Sequence, residues 1–290
     1  MKLGLHALGI GTGAQRDVID HVAQAAEQSG FSTLWAGEHV VMVDRSRSEY
    51  PYSDDGRIAV PAEADWIDPM IALSFAAAAT SAIRIATGVL LLPEHNPVLI
   101  AKQAATLDRL SGGRLTLGVG IGWMREEFDA IGVPFARRAA RTAEYVAAMR
   151  VLWHDDVASF DGEFVTFDSI RVNPKPVRNN VIPVMLGGNS DAALRRVVSW
   201  GDGWYGFNLD GPGAVQERMT ALQRLCDEEG RHRSQLHVAV ALRDLQPQDV
   251  GRLAELDVDE LVIVDSPPAD PRAAADWVSV LADRWMPPAS

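Results

Sequence analysis

Short, uniformly apolar runs alternate along the whole chain with longer segments whose apolar residues recur at helical spacing. Eight of the runs read as strands, at residues 2–5, 33–36, 83–91, 115–119, 182–186, 203–207, 236–241 and 260–264. The run at 115–119 has no wet face, which points to a parallel sheet covered on both sides. The intervening segments read as helices at 17–28, 66–79, 97–110, 136–153, 190–199, 215–229, 248–256 and 271–285. In the fourth of these, Ala139, Ala143, Val146, Met149 and Trp153 share one face, and Gly30 closes the first at its C-cap. Eight strand–helix repeats predict an α/β fold, a closed (β/α)8 barrel of the TIM type. The competing arrangement, an open doubly wound sheet, would show fewer strands and a dinucleotide loop.

Two segments break the rhythm. Residues 40–65, after the second strand, are long, polar and rich in Pro, Asp, Arg and Tyr, as in a lid, a binding loop or a disordered segment. Residues 158–169, before the fifth strand, alternate around Asp161-Gly162 and predict an inserted hairpin. No repeat, low-complexity tract or linker divides the chain, so residues 1–290 are expected to form a single barrel domain.

Composition narrows the class. Hydrophobic residues make up 47%, and no run approaches a membrane span. Lys and Arg number 27 against 39 Asp and Glu, a net charge of −12 that disfavours nucleic acid and anionic membranes as partners. The densest basic group, Arg137, Arg138 and Arg141, reads as the wet face of a helix, with an anionic ligand tail as the other use. Cys226 is the one cysteine, so no internal disulfide forms, and it reads as a small packed side chain. The chain starts in a strand-like segment without an apolar signal region. A cytoplasmic, reducing compartment is the expectation.

In such a barrel the chemistry lies just past the strand ends. Those positions hold His6, Glu38, His39, residues 88–92 with Glu94 and His95, Gly120, Gly122, Trp123, Gly187, Gly188, Asn189, Asn208, Arg243 and Asp265. Gly118, Gly120 and Gly122 remove side chains where the fourth strand becomes a loop, which suits a flat or phosphorylated ligand and equally suits plain turns. Their spacing is not the dinucleotide fingerprint, and the adjoining Leu110-Ser111-Gly112-Gly113-Arg114 lacks the phosphate loop a transporter ATPase needs. A histidine beside a carboxylate, as in Glu38-His39, can hydrogen-bond or protonate a heterocycle; it can also simply cap backbone amides. Gly187-Gly188-Asn189-Ser190 offers free amides at a helix start for an anion, with Asp191 as a competing negative charge. Glu94 and His95 read as solvent-facing or as ligand contacts. The seven histidines show no ligand spacing, so no metal is expected, and no G-x-S-x-G elbow marks a serine hydrolase.

Taken together, several motifs resemble the luciferase-like monooxygenase superfamily, including its coenzyme F420-dependent branch. They are Gly30-Phe31-Ser32-Thr33-Leu34-Trp35-Ala36-Gly37-Glu38-His39, Ala86-Thr87-Gly88-Val89, Asn96-Pro97 to Ala101-Lys102, the stretch from Leu107 to Trp123, Glu126-Glu127-Phe128, Gly132-Val133-Pro134-Phe135, Leu186-Gly187-Gly188-Asn189 and Gly201-Asp202-Gly203-Trp204. The likeness runs to about residue 210. It implies a flavin or deazaflavin ring at the strand ends, backed by a non-prolyl cis peptide at Gly88-Val89. It also implies Glu38 and His39 at the polar edge of the ring as the catalytic pair, a phosphate loop at Gly187-Gly188-Asn189, and further cofactor contacts from His6, Gly120, Gly122 and Trp123. The sugar-phosphate dehydrogenase branch carries a glutamate where Trp123 stands, so a hexose phosphate is not the expected substrate and the proton donor is left open. The resulting expectation is an F420-dependent oxidoreductase passing a hydride between the deazaflavin and a small organic molecule, working as a homodimer. The alternatives are an FMN-dependent luciferase-like monooxygenase fed by a separate reductase and a non-catalytic flavin-binding protein.

Overall fold

The register between neighbouring strands shows how the eight apolar runs close into a ring. In the computed structural model, which describes residues 1–286, the strands are β1 (Lys2–Leu8), β2 (Thr33–Ala36), β3 (Arg84–Thr87), β4 (Leu115–Val119), β7 (Val184–Gly187), β8 (Gly203–Leu209), β9 (His237–Leu242) and β10 (Glu260–Val264). They pair in parallel in that order, and β10 closes on β1. His6, Trp35, Ala86 and Thr116 stand side by side across β1 to β4. Alternation along each strand feeds two cores. Trp35, Ala86, Met185, Tyr205, Ala239, Ala241 and Val262 form the smaller one, where Trp35 stacks on Tyr205 with ring centroids 4.7 Å apart. Leu5, Leu34, Ile85, Leu117, Leu186 and Val240 belong to the larger core shared with the helices.

Those helices are α1 (Arg16–Gln28), α2 (Pro69–Ala79), α3 (Pro97–Leu110), α4 (Arg125–Ala130), α5 (Arg138–His154), α6 (Asp191–Trp200), α7 (Gly211–Glu229), α8 (Asp249–Glu255) and α9 (Pro271–Trp285). Four begin on a side-chain cap: Asp68 accepts from Ile71 N, Asn96 from Val98 N, Ser190 from Ala193 N and Asp270 from Ala273 N. Such a cap typically contributes about 1 kcal/mol. Cys226 is buried on α7, as its reading required. Among the described residues no helix is long and apolar enough to cross a membrane. Residues 287–290, the end of the expected domain, lie outside the described residues.

The structure departs from the sequence reading in four places. The third strand, expected over 83–91, pairs regularly only to Thr87; the Gly88–Val89 peptide is cis, and Leu90 returns as an isolated bridge to Val119. Apolar patterning reads straight through such a bulge. Helix α4 and three short 3-10 turns, at Gly11–Ala14, Leu92–Glu94 and Arg233–Gln235, were not expected, because so few residues carry no helical period. Helix α2 starts at Pro69, and Trp66 instead donates its indole N–H to Gly37 O at 3.0 Å. The hairpin exists as β5 (Ala158–Asp161) and β6 (Thr166–Ile170), but Asp161 is a paired strand residue and the turn is wider than Asp161-Gly162. The Glu144 carboxylate of α5 accepts from the amides of Glu163, Phe164 and Val165 and so sets that wider turn.

The 40–65 insertion is anchored to both sides of the barrel mouth. Glu127 accepts from Val40 N at 2.6 Å, and Glu126 accepts from Arg47 N and Ser48 Oγ, each at 2.7 Å. On the far side Asn208 donates to Tyr52 O at 2.6 Å, and Arg243 pairs with Asp54 at 2.8 Å.

Candidate active site

A cavity of about 750 Å³ opens at the carboxyl ends of the strands under this insertion. His6, Glu38, His39, Gly88, Val89, Gly120, Gly122, Trp123, Gly187, Gly188 and Asn189 all line it. A second hollow of about 500 Å³, between Arg150, Trp200 and Arg231, lies at the opposite end of β7 and β8 and holds none of them.

The floor is built from glycine and one valine. A side chain on Gly120 would meet Val89 Cγ2 at 2.7 Å, and one on Gly187 would meet Val89 Cγ1 at 3.1 Å. Val89 therefore sits between two strand ends that only glycine lets come so close. Beneath it His6 bonds through Nδ1 to the Tyr205 hydroxyl at 3.1 Å, while its Nε2 is buried without a partner. Burial pushes His6 down to about 4, so its ring is neutral at physiological pH.

One wall is a set of histidine–carboxylate pairs. Glu38 accepts from Leu91 N at 2.5 Å and from His95 Nε2 at 2.9 Å. His39 does not pair with its neighbour Glu38; its Nδ1 lies 2.8 Å from Oε2 of Glu127, a fully buried side chain on α4. The carboxylate that orients His39 is therefore Glu127 and not the adjacent Glu38. Burial opposes protonation of His95, but the hydrogen bond and charge of Glu38 outweigh it and raise its pKa. Glu94, for which a solvent-facing position was one of two expectations, is buried at 8% exposure.

Cations also line the cavity. The basic cluster divides: Arg137 pairs with Glu163 outside, Arg141 turns inward to the Pro134 carbonyl, and Arg138 enters the cavity, donating to Gly122 O at 3.0 Å. Arg196 of α6 also lines the cavity, with a buried Nε that has no acceptor. Burial lowers the pKa of both guanidiniums, and Arg196 and Arg125 lower Arg138 further by repulsion. Beside Arg196 lies the loop at Gly188, whose φ of +114° belongs to glycine and where a side chain would meet Ala193 Cβ at 2.9 Å. Asp191, expected to compete with an anion here, is drawn off by Arg218 at 2.7 Å. Asn189 spends its amide on both backbone groups of Phe207, bracing β7 against β8.

An aromatic rim completes the cavity. Trp66 and Trp123 stand edge-on to His39 at 4.8 and 5.8 Å, Tyr50 meets Trp123 at 5.1 Å, and Tyr52 meets Phe207 at 5.5 Å. Arg196, Glu127 and the two insertion tyrosines were missed as site residues, whereas Arg138 belongs to the basic group for which an anionic ligand tail was the alternative use. The tyrosine-rich insertion after the second strand was the available signal for the last two.

A family model described as luciferase-like monooxygenase matches residues 4–243. An uncharacterized protein of Mycobacterium tuberculosis is 36% identical over 261 residues, covering 90% of this chain and 91% of its own. An FMNH2-dependent dimethylsulfone monooxygenase of Pseudomonas putida is 31% identical over 183 residues, 62% of this chain and 50% of that one. The solved structure of the coenzyme F420-dependent tetrahydromethanopterin reductase from Methanopyrus kandleri superposes with a TM-score of 0.76 at 16% identity, covering 99% of this chain and 98% of the other. At that identity the likeness concerns the fold.

Proposed function

The chain belongs to the luciferase-like monooxygenase family, whose members are oxidoreductases and monooxygenases, and on that premise we propose that it is a coenzyme F420-dependent oxidoreductase acting on a small organic substrate. The observation that carries this reading is the cavity itself, with a glycine-lined floor between two guanidiniums that have no carboxylate partner and a carboxylate-held histidine. The residues fit such a cofactor. The unpartnered His6 Nε2 and the side-chain-free edges at Gly120 and Gly187 suit a flat heterocycle, and Arg138 and Arg196 lack the anion they are placed to meet.

When bound, the deazaflavin supplies hydride chemistry; the protein supplies orientation and proton handling. Gly187, Gly188, the start of α6, Arg196 and Arg138 would hold an anionic tail. Glu127 takes the Nδ1 proton of His39 in a hydrogen bond, which leaves Nε2 free to take or give a proton at the polar edge. Tyr50, Tyr52, Trp66 and Trp123 exclude water over the reacting centre. The chain superposes end to end on an F420-dependent reductase, a likeness of fold, whereas only half the length of the FMNH2-dependent relative is matched.

The second reading is an FMN-dependent monooxygenase supplied by a separate reductase, favoured by the 31% identity to that relative. Parallel fluorescence titrations with F420 and FMN separate the two. F420 binding at least about tenfold tighter is expected, a margin of about 1.4 kcal/mol; tight FMN binding without F420 binding overturns the first reading. We also propose a homodimer, since Ile71 and Phe75 of α2 and Leu99 of the neighbouring α3 leave apolar surface exposed. A single-chain mass in sedimentation would remove that proposal.

A further inference from the structure

The glycine floor and the cations belong to one arc of the barrel mouth. Gly88 and Val89 follow β3, Gly120 follows β4 and Gly188 follows β7, three strands that are neighbours in the ring. Arg138 donates to Gly122 O in the loop after β4, and Arg196 lies on α6, the helix after β7. The arc that runs from β8 through β9 and β10 to β1 is furnished differently. Val264 ends β10, in register with His6 of β1. It is 47% exposed, and among the described residues it is the one large apolar side chain of the eight barrel strands left exposed. It lines the cavity, so the apolar surface it leaves uncovered is open to a ligand. Phe207 of β8 and Ile10 after β1 line the cavity on the same arc.

The insertion roofs this arc with more of the same chemistry. Asp54 pairs with Arg243, the residue after β9, and the Asp65 carbonyl accepts from Gly11 N, beyond β1, at 2.8 Å. Between those two ties the chain crosses the arc, and there Ile58 and Val60 line the cavity. The crossing ends at Trp66, which an antiparallel bridge sets beside Ile10. Two charged residues line this part, and each has a local partner. Asp265 accepts from Ser266 N at 2.8 Å, and Arg57 lies close enough to Asp55 to help lower its pKa. An apolar molecule seated here gains by covering exposed side chains. A charged or hydroxyl-rich one gives up its water and finds few groups to replace it.

We propose that the β8–β10–β1 arc is the substrate subsite and that the substrate is uncharged and mainly apolar, with a hydrocarbon or simple aromatic body packed against Val264, Ile58 and Val60. Anionic groups of a bound ligand are confined to the β3–β4–β7 arc, where the glycines and guanidiniums are. Val264 is then a specificity-determining residue, because it stands on the strand where the ring of the barrel meets the crossing insertion. The assignment of this arc to the substrate rests on the reading of the glycine floor as the seat of the cofactor; its preference for apolar ligands does not.

The test uses the full chain and prodan, an uncharged naphthyl ketone whose fluorescence shifts to the blue in apolar surroundings. The wild type should bind it with such a shift, with or without cofactor present. Val264→Asp and Val264→Lys should each weaken that binding at least about tenfold, since a charge of either sign must lose water when the probe packs on it. Val60→Asp repeats the test on the insertion, where no barrel strand is altered, and circular dichroism melting shows that each variant is folded. Affinity for F420 and for FMN should be unchanged in all three variants. The proposal falls if the wild type does not bind prodan, or if the folded variants bind it as tightly as wild type. It also falls if the cofactor that binds displaces prodan competitively, because the two arcs are then one site. The probe needs no cofactor, so a wild type that binds neither F420 nor FMN and still shows the prodan pattern would sink the proposed function and leave the apolar subsite standing.

Discussion

At the β2 end of the cavity the polar side chains satisfy one another. Glu38 spends its oxygens on Leu91 N and His95, and Glu127 spends its own on His39 and on the Val40 and Val41 amides. At the α6 end Arg138 and Arg196 are half-buried and shifted by burial, and no carboxylate offsets that shift in Arg138 or Arg196. The contrast is sharper in a chain of net charge −12, which has acids to spare. A wall that is internally satisfied is rigid and holds a proton-transfer group in one orientation. A wall left with unpaired cations is completed by whatever anion binds. The first end serves the rate, the second the affinity, and changes at the two ends should separate those quantities.

The largest effect is expected at the satisfied wall. His39→Asn removes the proposed acid–base nitrogen and keeps a donor for Glu127, so that carboxylate is not left buried and unpaired. Turnover should fall on the order of 10²–10⁴-fold with cofactor affinity unchanged. Stopped-flow kinetics and cofactor titration on one preparation check this, and unchanged turnover would show that His39 is structural.

Glu94 breaks the pattern of that wall, since neither carboxyl oxygen meets a donor, and its effect is expected on stability. Burial first, then the charges of Glu127 and Glu38, raise its folded pKa to about 9, so it stabilises the fold fully only below its unfolded value, and that contribution is lost as pH climbs toward about 9. Near neutrality the loss is on the order of 3 kcal/mol. Glu94→Gln should therefore unfold at higher denaturant than wild type at about pH 8, with the gap closing toward about pH 5. A gap independent of pH would mean that Glu94 is ionised in the native state.

How much of this was legible from sequence depends on the link involved. The barrel and the residues past its strand ends follow from periodicity, because strand runs and amphipathic helices are local patterns. Partner choice is not local. Glu38 and His39 are adjacent, which invites pairing them, yet successive side chains on an extended backbone point apart. The true partner of His39 is 88 residues away on a six-residue helix too short to announce itself. Arg138 and Arg196 lie on helices where arginine ordinarily marks a wet face. Only the packed structure shows that they turn into the cavity.

The unpaired wall gives the next effect. Arg196→Met retains most of the stem and removes one charge. A charge-assisted hydrogen bond is worth roughly 1.5–3 kcal/mol, so cofactor affinity should weaken about 10- to 150-fold. Thermal stability should hold or rise, since a buried cation without a counter-ion opposes folding. Titrations at several salt concentrations should also show a shallower salt dependence. Equal affinity in a folded variant would remove Arg196 from the anion site.

The smallest effect is expected where the two ends share a roof. The insertion is tied to the satisfied wall through Glu126 and Glu127 and to the cationic side through Asn208, which donates to Tyr52 O at 2.6 Å. Asn208→Ala cuts one tie and leaves the Arg243–Asp54 pair, which is exposed and contributes little. A neutral hydrogen bond contributes about 0.5–1.5 kcal/mol, so KM should rise about two- to tenfold with kcat nearly constant. Hydrogen exchange should speed up at the amides around Tyr52 and stay unchanged at Val40 and Val41, which Glu127 still holds. If exchange rises equally at both ends, the insertion moves as one body and its two anchors are not independent.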